Sequence, residues 1–180
     1  MSQSTPQLQP ITRLNQLPLP EFAEALRPLF EAAAPLAAAL HAARPFASYA
    51  QLIDRAQQLT EQLPRAQQIE IVDAHPRIGE DPDAVRARSM LSYREQGYDT
   101  EDPAQVQQVY AELARLNAAY EQRFGFRFVV FVNRRPKSAI VEVLRARLGN
   151  APEQELQTAL GEMFAIARDR LRTLEVDDGS

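Results

Sequence analysis

Apolar residues in this chain return at intervals of three and four for most of its length, the spacing that lines one face of an α-helix. Phe22, Leu26, Leu29 and Phe30 form the first such row. It follows Leu17-Pro18-Leu19-Pro20, and Glu21 and Glu24 suit the positive end of a first turn. Pro35 interrupts the alanine-rich run 31–43, so two short helices are expected to meet there. Arg44-Pro45-Phe46-Ala47-Ser48 reads as a turn, with Ser48 capping a helix that carries Leu52, Ile53, Ala56 and Leu59. Pro64 closes that helix and stands near the start of the next, whose Ile69, Ile71 and Val72 run up to Asp73. Asp81-Pro82-Asp83 opens a helix predicted to reach Gln96 and stop at Gly97. Thr100-Glu101-Asp102-Pro103 opens another, with Val106, Val109, Tyr110, Leu113, Leu116 and Tyr120 on its apolar face.

The period changes at Phe124-Gly125-Phe126-Arg127-Phe128-Val129-Val130-Phe131-Val132, which is aromatic and β-branched, and bounded by Gly125 and Asn133. It predicts one buried extended segment with no second strand to pair with. Helices resume at 137–148 and, beyond Gly149-Asn150-Ala151-Pro152, at 153–174. The fold class is therefore all-α: a compact single-domain helical bundle with one short extended segment near 126–132. Residues 1–10, polar and proline-bearing, read as a mobile N-terminal arm, 11–175 as a single helical domain, and 176–180 as a frayed tail.

Composition narrows the function. A chain of 180 residues buries a core without staples, and its formal charge of −4 argues against a nucleic-acid surface. With no cysteine, disulfides, thiolate catalysis and cysteine-based metal sites are excluded. No apolar run approaches the ~20 residues that span a bilayer, and the first residues lack the charged and apolar regions of a signal peptide. The expectation is a cytoplasmic protein with no membrane partner.

His75 is one of two histidines and stands at a break between helical patterns, in Val72-Asp73-Ala74-His75-Pro76-Arg77-Ile78-Gly79-Glu80. A titratable ring on a rigid turn suits proton transfer near neutral pH, but a histidine before a proline is more often a structural turn residue. His41, in its alanine-rich run, reads as structural. Ser92, Glu95 and Gln96, at i, i+3 and i+4, put hydroxyl, carboxylate and amide on one helix face. That stripe lines a polar pocket or simply faces solvent. Arg170 stands four residues from Ile166 in an apolar row, which would let it point inward to a carboxylate, but the pattern alone favours snorkelling along the helix surface. Asp73, His75, Glu80, Asp81 and Asp83 cluster, yet one histidine without cysteines does not make a zinc site, and the acids lack the glycine spacing of a calcium loop. No metal is expected. No glycine-rich phosphate cradle or Gly-x-Ser-x-Gly elbow is present either.

Taken in order, His75-Pro76-Arg77-Ile78-Gly79, Ser92-x-x-Glu95-Gln96, and Leu116-Asn117-x-x-Tyr120-x-x-x-Phe124-Gly125-Phe126-x-Phe128 resemble the OHCU decarboxylase family. Arg147-Leu148-x-Asn150, Glu162-x-x-x-Ile166-x-x-x-Arg170-Leu171, Leu14-Asn15 and Arg44-Pro45-Phe46 extend the resemblance from residue 12 to residue 172. It implies an all-helical homodimer without metal or organic cofactor. The implied activity is decarboxylation of the small molecule 2-oxo-4-hydroxy-4-carboxy-5-ureidoimidazoline to (S)-allantoin in urate breakdown. It also implies that His75 and Glu95 are catalytic, and that Pro76, Ser92, Gln96 and Arg170 bind substrate. Two departures stand out: Ala34-Pro35-Leu36 replaces a Ser-Pro-Trp-like stretch, and Asn133-Arg134-Arg135 stands where a glycine is common. The residues alone leave open a helical interaction module, or another cofactor-free lyase or hydrolase acting on a related ureide.

Overall fold

The computed structural model describes residues 6–98 and 103–174, with the side chains of 103–106 set aside. The expected helix start at 100–102, the apolar position Val106 and the tail 176–180 lie outside the described residues. Ten helices and no strand occur among the described residues. They are α1 (Ile11–Leu14), α2 (Leu19–Phe30), α3 (Ala34–Ala42), α4 (Tyr49–Gln62), α5 (Arg65–Asp73), α6 (Pro82–Arg88), α7 (Met90–Glu95), α8 (Pro103–Phe124), α9 (Lys137–Arg147) and α10 (Pro152–Thr173). The all-α class holds. The chain divides into two compact units, Met1–Ala74 with Met163–Ser180, and His75–Glu162.

In the first unit, Phe22, Leu26, Leu29 and Phe30 all turn inward from α2, and Phe30 meets Phe164 edge to face at 6.2 Å. Burying each such side chain contributes roughly 1.5–3 kcal/mol. Ser48 caps α4 as its sequence context predicts, its hydroxyl accepting from the Gln51 amide at 3.1 Å. Asn15 serves as a local backbone substitute, donating to the Phe46 carbonyl at 2.8 Å and accepting from the Phe46 amide at 2.9 Å. His41 is structural: its Nε2 lies 3.2 Å from the Leu17 carbonyl, and Arg44 reaches both it and the carbonyls of Asn15 and Leu17.

Three expectations change. Pro35 starts α3 instead of interrupting it, because proline's missing N–H costs nothing in a first turn; the break falls at Glu31–Ala33. The arm expected to be mobile over 1–10 lies outside the described residues at 1–5, and beyond that Leu8 is fully buried and the Gln9 carbonyl accepts from the Tyr49 hydroxyl at 2.6 Å. The helix expected from 82 to 96 is two helices. Ser89 takes an extended conformation (φ −153°, ψ 110°), ends α6 and caps α7 through its hydroxyl, which accepts from the Ser92 amide at 3.1 Å. A serine side chain that competes for backbone donors makes such a break.

In the second unit, Tyr120 sits among Phe124, Phe126 and Phe128, with ring centroids 4.6, 5.8 and 5.3 Å away. The segment 126–132, expected to be extended, belongs to no helix and no strand, bends at Phe126, and is largely buried, with Phe126, Phe128, Val129, Val130 and Val132 inside. Its lone status follows from how its backbone is held. Arg147 donates to the Val129 carbonyl at 2.7 Å and Glu162 accepts from the Phe131 amide at 2.6 Å, so side chains replace a partner strand. Arg147 in turn is paired with the wholly buried Glu155, which also accepts from Tyr120 at 2.5 Å and from Asn150 at 2.8 Å.

Candidate active site

α5 ends at Asp73, and the chain then turns through His75–Glu80 before Asp81 caps α6. Turn backbone left outside a helix must find partners elsewhere, and here side chains from several elements supply them. Arg127, in the non-helical segment after α8, donates to the His75 carbonyl at 3.1 Å. Gln96 brackets the next positions: its Oε1 accepts from the Gly79 amide at 3.0 Å and its Nε2 donates to the Arg77 carbonyl at 3.3 Å. Asn117, from α8, donates to the Ile78 carbonyl at 2.8 Å, and the Tyr98 hydroxyl donates to the Glu80 carbonyl at 2.7 Å. Gly79 has φ +73°, and a Cβ there would lie 3.0 Å from Leu113, so the turn needs glycine on both counts. His75 is 3% exposed and Pro76 is buried beside it. The result is an imidazole on a backbone fixed from four sides.

Ser92 and Gln96 are buried at 4% and 8% exposure, and Glu95 is half-buried between them in sequence. α7 is six residues long, with Gln96 as its C-cap. The Gln96 bracket therefore ties the end of α7, with Glu95 one position away, to the turn that carries His75. Lys137 approaches the same end. It is buried at the start of α9, donates to the Gln96 carbonyl, and lies 4.3 Å from the Tyr98 ring centroid and 5.3 Å from that of Tyr110.

His75, Pro76, Ser92, Glu95 and Gln96 all belong to the second unit. Arg170 belongs to the first, where it points inward, 1% exposed, and donates to Glu31 Oε1 at 2.8 Å. The pattern alone favours snorkelling, and the structure turns the guanidinium inward instead, where a buried carboxylate meets it. Arg168 is exposed and pairs with Asp54 and Gln57. The acids around the turn have structural work: Glu80 pairs with Arg88, and Asp81 caps α6. A groove of about 240 Å³ between the turn and α8 is lined by Arg77, Glu80, Asn117 and Glu121 among others, not by His75. Arg77 and Glu121 close one side of it with a two-pronged ion pair of 2.5 and 3.0 Å.

Sequence reasoning missed Arg127 and Lys137, and it met Asn117 only as a motif letter. Lys137 left a signal: it shares a helical row with Ile140, Val141 and Leu144, a cation where an apolar residue is expected. Arg127 left none, since one arginine in a buried extended run reads as an outward-facing position.

Comparison with known proteins places this geometry. The family model described as OHCU decarboxylase matches residues 15–172. A 2-oxo-4-hydroxy-4-carboxy-5-ureidoimidazoline decarboxylase of Amia calva is 34% identical over 90% of this chain and 92% of its own length. The Mus musculus protein of the same name is 32% identical over 91% and 92%. The uric acid degradation bifunctional protein PucL of Bacillus subtilis is 33% identical over 92% of this chain, which spans 33% of that longer protein. Among solved structures, an (S)-allantoin synthase aligns with a TM-score of 0.63 at 22% identity, covering 91% of this chain and 54% of that one. An OHCU decarboxylase crystallised with (S)-allantoin gives 0.62 at 24%, covering 81% and 92%. These two structures establish likeness of fold.

Proposed function

The chain belongs to the OHCU decarboxylase family, and from that premise we propose that it converts 2-oxo-4-hydroxy-4-carboxy-5-ureidoimidazoline to (S)-allantoin and CO2 in urate degradation. The observation that carries the reading is the Gln96 bracket. It joins two of the family's motifs in space and sets Glu95 beside the turn that carries the buried His75.

The chemistry suits these residue types. Breaking the bond between the ring carbon and its carboxylate releases CO2 and leaves an electron pair on that carbon, where the conjugated ring takes it up. A proton must then reach one face of the carbon. His75 is the proton carrier in this reading, and Glu95 orients the imidazole. A backbone fixed by Arg127, Gln96 and Asn117 supports delivery to a single face, since handedness needs a ring that does not wander. Pro76, Ser92 and Gln96 bind the substrate ring, and Arg170 anchors its carbonyl oxygens with a forked donor. No step in this scheme calls for a metal or an organic cofactor.

Residues 11–175 form one decarboxylase domain in this reading, which the family match through both units supports. The reading also includes a homodimer in the cytoplasm, as the resemblance implies. Gel filtration should show a particle of about twice the 20.2 kDa chain mass. No helix of the described residues is long and apolar enough to cross a membrane.

The direct test generates the substrate in situ by enzymatic oxidation and hydrolysis of urate, adds the protein, and follows circular dichroism. Rapid appearance of one allantoin enantiomer supports the proposal. A slow racemic rise, no faster than without protein, overturns it.

A further inference from the structure

Lys137 is a cation in a place where an apolar side chain would pack at lower cost. It is 4% exposed, and Ile140, Val141 and Leu144 share its buried helix face. Taking an ammonium group out of water is costly unless its surroundings compensate. Here two aromatic rings, Tyr98 and Tyr110, face it at 4.3 and 5.3 Å, and it donates to the Gln96 carbonyl at the C-terminal end of α7. Helix C-termini carry partial negative charge and favour cations, so the helix end and the rings both help to hold the charge. Capping α7 alone would not call for burial, because a lysine reaching in from the surface does that job. What burial adds is a fixed position.

The Gln96 whose backbone Lys137 holds is the residue whose side chain brackets Gly79 and Arg77. One residue thus separates the lysine from the His75 turn. We propose that Lys137 is a positioning residue of the candidate active site: it sets where the end of α7 sits, and through Gln96 it sets how that end, with Glu95, is held against the turn that carries His75. The inference rests on the proposed decarboxylase reading for its kinetic arm, but its structural arm does not.

The test is Lys137→Met, which keeps the apolar stem and removes the charge, alongside Leu144→Ala, which weakens the same helix without touching Gln96. The chain holds two histidines, so a histidine-labelled sample gives two imidazole signals, with His41 as the internal reference. The expected result for Lys137→Met is a shifted His75 signal, an unmoved His41 signal, and a fall in kcat of about ten- to a hundredfold with a smaller change in KM. Leu144→Ala should lower the unfolding midpoint while leaving the His75 signal and kcat in place. If Lys137→Met lowers stability but leaves the His75 signal and kcat as they were, the lysine is only a packing element and the proposal fails. If the wild-type protein shows no decarboxylation, the functional reading fails by itself, and the histidine signals still decide the positioning role.

Discussion

Glu31 offers the sharpest test of how the Arg170 region is built. It ends α2 with φ 59° and ψ −156°, a backbone region used almost only by glycine. Holding a glutamate there costs about 1–3 kcal/mol. Its side chain is 6% exposed and that of Arg170 1%, and the two meet at 2.8 Å. Removing one partner of a buried pair costs about 3–5 kcal/mol, mostly from the charge left behind. Glu31→Ala loses the pair and keeps the backbone strain, so it should destabilise by about 3–5 kcal/mol. Glu31→Gly loses the pair but releases the strain, at an added cost of about 0.4–1 kcal/mol from the freer unfolded chain. The glycine variant should therefore be the more stable of the two by about 0.5–2 kcal/mol. Equilibrium urea unfolding, compared at equal m-values, measures both differences. An alanine variant within about 1 kcal/mol of wild type would mean that the pair behaves like an exposed one. An alanine variant more stable than the glycine variant would refute the strain argument.

Two further predictions concern other parts of the chain. Burial pushes the Tyr49 phenol from 10.0 up to about 12, so the folded chain holds that proton more tightly than the unfolded chain does. Its contribution is complete below pH 10.0 and fades as pH rises toward about 12. Between about pH 9 and about pH 11 the wild type should lose more urea resistance than Tyr49→Phe; equal losses contradict this. Arg134 has φ 59°, in the turn where a glycine was noted as common. Arg134→Gly should be neutral or stabilising by up to about 1 kcal/mol, and clear destabilisation in a thermal melt would count against it.

Much of the fold was legible because helices advertise themselves locally. The row Phe22, Leu26, Leu29, Phe30 and the cap Ser48 follow from period and hydrogen-bonding chemistry that neighbours in sequence decide. The break at Ser89 was not legible, because one serine hydroxyl outweighs an otherwise continuous helical pattern. The candidate site was legible as a set of ordered motifs, but not as an assembly. Gln96 looked like one member of a polar stripe, and only the structure shows its amide spanning Gly79 and Arg77. Arg127 and Lys137 act at backbone carbonyls 52 and 41 residues away in sequence, a kind of contact that leaves no periodic trace.

The central claim is that His75 and Glu95 carry stereospecific decarboxylation. The measurement that tests it most directly is circular dichroism of the allantoin formed from freshly generated substrate by wild type, His75→Asn and Glu95→Ala, each first shown to be folded. The account predicts rapid, one-handed product from wild type and a slow, racemic rise from both variants. Optically active allantoin at the native rate from either folded variant would contradict it.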